Sequence, residues 1–385
     1  MAIRKRAWTL PDGTAKQAWL VDYRDQAGKR RAKQFARKRD AEEWAITAKA
    51  EVQRGVHTPD RTSVTIAKAS ELWLDTVRKN GREPTTVAAY EQQVRLHIVP
   101  ACGATKLSQL TAPKVRTILD SWRGSVSRPM ATRLLRTLKA IISDAQERGL
   151  VAQNVALAVK MPRETREKGK VTPPAKADLR AILKAAAAQT SLKAQTFVEL
   201  AVFSGMRASE LRGLPWRNVD LKAGTVTVDQ RADAAGVIGP PKSTAGFRTI
   251  PLPPRVIKLL KAWKLACPAN DLELVFPSDQ GKPLSHRVAT INLVGPIQIA
   301  ARVVTTTIDE EGDPSFEPRY GLHAFRHAAA SLWIEQGLNA KRVQVLMGHS
   351  SIQVTFDTYG HLFEQQEKDR DDAAAIERAL FTGAT

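Results

Sequence analysis

The sequence is poor in cysteine: among its 385 residues only Cys102 and Cys267 are cysteines, which excludes a disulfide framework and a Cys-rich metal site. No apolar run approaches the length of a membrane span, and Met1 to Leu10 carries no signal-peptide pattern, so a protein of the reducing cytoplasm is expected, away from the membrane. There is no internal repeat and no low-complexity segment. Acidic residues are the other scarcity. Asp and Glu number 39 against 59 Lys and Arg, a formal net charge of +20 at pH 7. That excess needs a polyanionic partner, and nucleic acid fits it, which would associate the protein with the nucleoid.

What is present is otherwise ordinary. A hydrophobic fraction of 43% and a charged fraction of 25% belong to a globular chain, long enough for two or three domains that each bury a core. The charge is uneven. Residues 1–171 hold 34 Lys/Arg against 17 Asp/Glu, and residues 172–385 hold 25 against 22, so the grip on DNA belongs to the amino-terminal half.

Residues 18–35 read as two strands joined by a turn at 25–28, followed by a helix capped by Asp40, with Glu43 three residues on and Gly55 as its stop. This strand–strand–helix module, residues 1–60, presents Arg24, Lys29, Arg30, Arg31 and Lys33 as candidate DNA contacts; a solvated charged hairpin is the alternative. From Thr65 to about Ala158 the periodicity is helical and predicts four helices, within a domain spanning 61–160. Arg128 to Arg148 places Leu134, Leu138, Ile141, Ile142 and Ala145 on one face and Arg133, Arg136 and Lys139 largely on the other, a second candidate DNA surface. Residues 161–175 are charged, Pro-containing and aperiodic, as a linker is. The remaining segment, 176–385, predicts helices to about Leu214, strands at Thr225–Val228 and Arg248–Leu252 around a Gly/Pro loop, then mostly helices, among them a short one over 352–358 that puts Tyr359 at its end, just before Gly360. Asp309–Pro318 reads as an acidic surface loop. Beyond Tyr359, Asp369, Asp371, Asp372 and Glu377 make an acidic tail, in which Ala373, Ile376 and Leu380 form a short helical apolar stripe.

Four of the seven histidines, His323, His327, His349 and His361, fall within 39 residues. His323 and His327 have the i, i+4 spacing of zinc-binding helices, but Ala324 stands where such motifs carry Glu and Arg326 would sit among the ligands, so no metal is expected. Five blocks occur in order: Ser-Gly-Met-Arg207-Ala-Ser-Glu210-Leu; Pro-Pro-Lys242-Ser-Thr-Ala-Gly-Phe-Arg-Thr-Ile-Pro-Leu; Leu-His323-Ala-Phe-Arg326-His-Ala; Leu-Met-Gly-His349-Ser-Ser; and Thr-Phe-Asp-Thr-Tyr359-Gly-His. In this set the chain resembles the tyrosine recombinase family of phage integrases, a likeness that covers its carboxyl-terminal half, with the helical segment before it similar to the family's core-DNA-binding domain.

The resemblance implies a multidomain, mainly α fold: a small amino-terminal β-sheet plus helix module, a helical core-DNA-binding bundle, and a mixed α+β catalytic domain with a tail helix. It implies a site-specific DNA recombinase that cuts and rejoins strands through a 3′-phosphotyrosine, for integration or excision of a phage or mobile element. Tyr359 would be the nucleophile, and Arg207 and Arg326 would hold the phosphate. Lys242 would protonate the departing 5′ oxygen, His323 would assist proton transfer at the tyrosine or hydrogen-bond the phosphate, and His349 would donate a further hydrogen bond. Glu210 would orient Arg207, with His327 as support. The chemistry is self-sufficient, since such a cleavage needs a nucleophile, cations for the phosphoryl oxygens and an acid, and neither ATP nor metal. The implied partners are double-stranded attachment sites, three further copies in a tetramer, and, as accessory proteins, a host DNA-bending protein and an excision factor. A type IB topoisomerase, a host chromosome-resolving recombinase and an inactive recombinase-derived DNA-binding protein remain the alternatives.

Overall fold

The structure is a computed structural model and describes the chain apart from residues 26–27, 61–62, 163–170, 190, 309–312 and 364–385. The chain divides into two compact units, Met1–Arg166 and Glu167–Thr385.

The first unit opens with an antiparallel sheet of β1 (Ala2–Thr9), β2 (Ala15–Arg24) and β3 (Arg30–Phe35), in that order. β1 adds a strand to the expected pair. Only Ile3 and Trp8 of its residues are even half-buried, so its sequence shows no apolar alternation. α1 (Lys38–Gln53) lays Ala41 and Ala45 on Val21, beside Trp19, Phe35 and Trp44. Its N-cap is Arg37, not Asp40, which lies in the first turn. There its charge still favours the positive end of the helix dipole.

Four helical rods follow. α2 (Ile66–Lys79) is capped by the Thr65 hydroxyl, which accepts from the Lys68 N–H. α3 (Pro84–Gln93) runs through a π-helical turn, Val94–Ile98, into α4 (Val99–Cys102). Pro100 explains the turn: it has no N–H to give and its ring crowds the carbonyl four residues back, so the bonding pattern widens instead of the rod breaking. α5 (Ala112–Ser125) and α6 (Arg128–Glu147) complete the bundle. The expected apolar face of α6, Leu134, Leu138, Ile141, Ile142 and Ala145, is buried, and Thr137 within it donates to Gln93 Oε1 at 2.7 Å.

In the second unit α7 (Lys176–Ala187) precedes α8 (Leu192–Ser204), which is apolar on nearly every side and runs through the core. The short α9 (Ala208–Arg212) leads to a three-stranded antiparallel sheet of β4 (Val219–Asp220), β5 (Thr225–Val228) and, after the small pair β6 (Arg231–Ala232) and β7 (Ile238–Gly239), β8 (Arg248–Pro251). α10 (Pro254–Ala266) packs on α8. A second rod, α11 (His286–Val288), a π-helical turn Ala289–Val294 and α12 (Gly295–Ala300), again widens just ahead of a proline, Pro296. β9 (Val304–Ile308) and β10 (Pro314–Pro318) then pair antiparallel, so part of the expected acidic loop is strand. α13 (Leu322–Glu335), α14 (Ala340–Met347) and α15 (Ile352–Phe363) close the described chain. α15 does not stop before Gly360: Tyr359 lies inside it, because the helix side of Gly360 is uncrowded and permits continuation. The acidic tail stripe at Ala373, Ile376 and Leu380 and the charged stretch 163–170 of the linker lie outside the described residues.

Candidate active site

Three arginines converge on the carboxyl end of α14. Leu346 O accepts from Arg248 Nε at 2.7 Å, Met347 O accepts from Arg326 Nη2, and Gly348 O accepts from Arg207 Nη2 at 3.0 Å. A helix leaves its last carbonyls without internal partners, and its dipole puts partial negative charge there. Three successive carbonyls therefore serve as a comb that spaces three cations. Gly348 makes this possible. It is left-handed, at φ +63, and a Cβ on it would come within 2.9 Å of Ala245 O and 3.0 Å of Arg248 Nη1. The end of α8 contributes a fourth carbonyl: Gly205, also left-handed at φ +60, accepts from Arg326 Nη1 at 2.6 Å.

Glu210 ties two of these arginines together. Its side chain is 2% exposed. Oε1 accepts from Arg207 Nη1 at 2.8 Å and Arg248 Nη1 at 3.1 Å, while Oε2 accepts from Arg248 Nη2 at 2.7 Å and the Arg207 backbone N–H at 2.8 Å. Burial alone would raise the carboxyl pKa, but the hydrogen bonds and charge of Arg248, with the charge of Arg207, outweigh it and hold it below the ordinary value. Arg207 is the most open of the three guanidinium groups, 38% exposed. Arg326 is fully buried, and burial followed by the charge of Arg207 brings its pKa down to about 9, still a cation at neutral pH.

Around Tyr359 stand three histidines. The phenol is buried within the packing of α13, α14 and α15, and its hydroxyl lies 2.8 Å from His327 Nδ1. His323, one turn earlier on α13, meets His327 edge to face at 4.6 Å between ring centroids. His349 lies parallel to the phenol ring at 6.4 Å, with its Nδ1 2.9 Å from the hydroxyl of the buried Thr355. Burial drives His327 and His349 down to about 4, helped at His327 by His323 and Arg326 and at His349 by Arg326 and Arg207; His323 is lowered too, again by burial first. Burial lifts Tyr359 to about 12 against the pull of Arg326. The resting site thus holds neutral imidazoles and an un-ionised phenol beside a block of fixed cations.

Of the residues expected from sequence, Arg207, Glu210, His323, Arg326, His327, His349 and Tyr359 gather here. Lys242 stands exposed on the loop between β7 and the turn Thr244–Gly246, whose Gly246 carbonyl accepts from Arg248 Nη1 at 2.9 Å. His361, the fourth clustered histidine, instead has Nε2 3.1 Å from Val171 O. Arg248, Thr355 and the α14 carbonyls went unread. Arg248 carried a signal, because strand alternation through Arg248, Ile250 and Leu252 points a guanidinium inward, where it must find a partner. Among the described residues no cluster of three or more His, Cys, Asp or Glu side chains could hold a metal ion.

The basic residues of the first unit fall into two groups. Arg24, Lys29, Arg30, Arg133 and Arg136 are exposed. Arg31 and Lys33 are half-buried on the helix-covered face of β3, Arg31 paired with Asp25 at 2.8 Å and Lys33 with Asp60 at 2.5 Å, the latter 4.8 Å over the Trp44 ring. Lys139 is half-buried, donates to Val159 O at 2.7 Å, and is held below its ordinary pKa by burial and then by Lys160. No helix among the described residues is long and apolar enough to cross a membrane.

Comparison with known proteins bears on this geometry. The family model described as Phage integrase family matches residues 175–366, and that of the phage integrase N-terminal SAM-like domain matches 65–123. An integrase of Streptomyces ambofaciens is 28% identical over 321 residues, 77% of this chain and 76% of its own. A tyrosine recombinase XerC-like protein of Caldanaerobacter subterraneus is 26% identical over 365 residues, covering 89% and 91%. Among solved structures, the Tn1549 transposon integrase in complex with transposon right end DNA superposes with a TM-score of 0.62 at 20% identity, over 83% of this chain and 100% of that one. The lambda integrase tetramer bound to a Holliday junction gives 0.55 at 20% identity, over 90% and 95%.

Proposed function

The chain belongs to the phage integrase family of tyrosine recombinases, and from that premise we propose that Tyr359 attacks a DNA phosphodiester to form a 3′-phosphotyrosine and free a 5′-hydroxyl. It is a site-specific DNA recombinase of a mobile element. The observation that carries the assignment of residues is the comb of arginines on the end of α14, beside a buried tyrosine. Arg207 and Arg326 bind the non-bridging oxygens, and because backbone carbonyls and Glu210 fix them beforehand, charge building on those oxygens meets donors already in place. Each guanidinium keeps N–H groups beyond those spent on the protein, as five donors allow. Arg248 acts through Glu210 and Leu346 and does not reach the phosphate, because its Nε, Nη1 and Nη2 are already spent on Leu346 O, Gly246 O and the two Glu210 oxygens. Lys242 protonates the leaving 5′ oxygen from its exposed loop, and His323 and His349 donate further hydrogen bonds.

Residues 1–60 form an arm-DNA-binding module, 61–160 a core-DNA-binding clamp, 161–175 the linker and 176–385 the catalytic domain. Arg24, Lys29 and Arg30 with Arg133 and Arg136 supply the backbone contacts. Four copies act together on two duplex attachment sites at the nucleoid, with a host DNA-bending protein and an excision factor as accessory partners. Support for the tetramer comes from the fold shared with the lambda integrase, whose tetramer was solved on a Holliday junction. The test is incubation with duplexes carrying the DNA that flanks the coding sequence of this chain. A covalent protein–DNA adduct resistant to denaturant is expected from the natural protein and none from Tyr359→Phe, which should keep DNA binding because only the nucleophilic oxygen is lost. Recombination by Tyr359→Phe would end the assignment.

A further inference from the structure

We infer that His327 is the base that takes the proton of Tyr359 as the phenol attacks phosphorus, an inference that rests on Tyr359 being the nucleophile. The geometry is specific. His327 Nδ1 lies 2.8 Å from the hydroxyl, a contact across 32 residues of sequence that the packing of α13 on α15 sets, through a shared core of Ala330, Ile334, Met347 and Tyr359. The two other histidines of the site have different surroundings: His349 spends Nδ1 on Thr355 at 2.9 Å, and His323 is the exposed ring against which His327 sits.

In the Nε2–H tautomer, Nδ1 of His327 offers its lone pair to the phenolic O–H. On attack the O–H bond breaks as Nδ1–H forms, the tyrosyl oxygen bonds to phosphorus as the bond to the 5′ oxygen breaks, and that oxygen leaves with a proton from Lys242. In the reverse step the incoming 5′-hydroxyl gives its proton to Lys242, and the imidazolium returns one to the departing tyrosyl oxygen, so one exchange restores both groups. Burial keeps His327 unprotonated at neutral pH, with its pKa near 4 and that of Tyr359 near 12. The proton accordingly stays on the phenol until phosphorus claims the oxygen's electron pair, which guards a resting enzyme against ionising its nucleophile without a substrate.

The substitution His327→Asn keeps a hydrogen-bonding atom near the hydroxyl but cannot accept a proton. Single-turnover adduct formation on a nicked duplex of the flanking DNA is expected to slow by about 10²- to 10⁴-fold, the usual contribution of a general base. The defect should persist on a duplex with sulfur at the bridging 5′ position, whose thiolate leaves without an acid, whereas Lys242→Ala should recover on that duplex. A natural rate for His327→Asn, or its recovery on the sulfur substrate, would overturn the inference. If His327→Asn does not bind DNA, His327→Ala with added imidazole decides: restored adduct formation upholds the role, and no restoration overturns it. Failure of the natural protein to form any adduct would instead strike the reading of Tyr359 itself.

Discussion

At the scale of the residue, fixed geometry matters more than charge. Arg207→Lys and Arg326→Lys each keep a cation but lose the planar fork that serves protein carbonyls and phosphate together. Each should lose about 2.7–4 kcal/mol of transition-state stabilisation, if it counts as one oxyanion donor. Cleavage rates at saturating protein measure this, and a near-natural rate in either variant would remove that arginine from the phosphate site. Arg248 differs, since it touches only protein. Arg248→Met takes two hydrogen bonds from a buried carboxylate, and an unfolding free energy lower by about 3–5 kcal/mol is expected, read from urea titration. Loss of cleavage without loss of stability would instead make it a phosphate ligand.

The neutral histidines also set a pH dependence. His327 and His349 have folded pKa values of about 4, well below the value of about 6.5 for an unfolded chain. Between those limits the unfolded chain binds more protons than the folded one, so stability is complete above about 6.5 and falls as pH drops towards 4. Urea midpoints across that range should decline less steeply for His349→Asn than for the natural protein. Equal slopes would mean that His349 is already protonated in the fold.

At the scale of the element, helix ends do the positioning. Gly348→Ala forces a Cβ to within 2.9 Å of a carbonyl oxygen at a backbone conformation that L-residues avoid, and so displaces the comb while removing no functional side chain. Cleavage is expected to fall together with stability; natural activity in the Gly348→Ala protein would show that the carbonyl spacing is unimportant. This element-level logic was only partly legible in the sequence. Apolar periodicity located α6 and its buried face, and alternation located β5, because both are built from local rules. β1 escapes because its exposed basic residues show no alternation, and the full length of α15 escapes because Gly360 looks like a stop although the helix runs on through it, with only Phe356 Cδ1, at 3.9 Å, near the place of a Cβ. The cluster of functional residues was legible as five separate blocks. Which histidine nitrogen meets the tyrosine was not, since the crossing of α13 and α15 decides it and no sequence spacing records that crossing.

At the scale of the whole molecule, the excess positive charge is a binding device. Sequence located it in the amino-terminal half, but strand alternation turns Arg31 and Lys33 inward and leaves Arg24 and Arg30 exposed. Arg24→Gln with Arg30→Gln should therefore weaken DNA binding and flatten its salt dependence, by roughly 0.9 in the slope of log K against log salt for each phosphate that is no longer neutralised. A salt titration by fluorescence anisotropy reads the slope, and an unchanged value would move the DNA-binding surface elsewhere. The claim on which the account turns is the covalent bond at Tyr359. Mass spectrometry of the protein–DNA adduct, after digestion with protease and nuclease, tests it most directly: a nucleotide should be found on the peptide containing Tyr359, attached through its 3′-phosphate. A nucleotide on any other residue, or a linkage through a 5′-phosphate, would contradict the account.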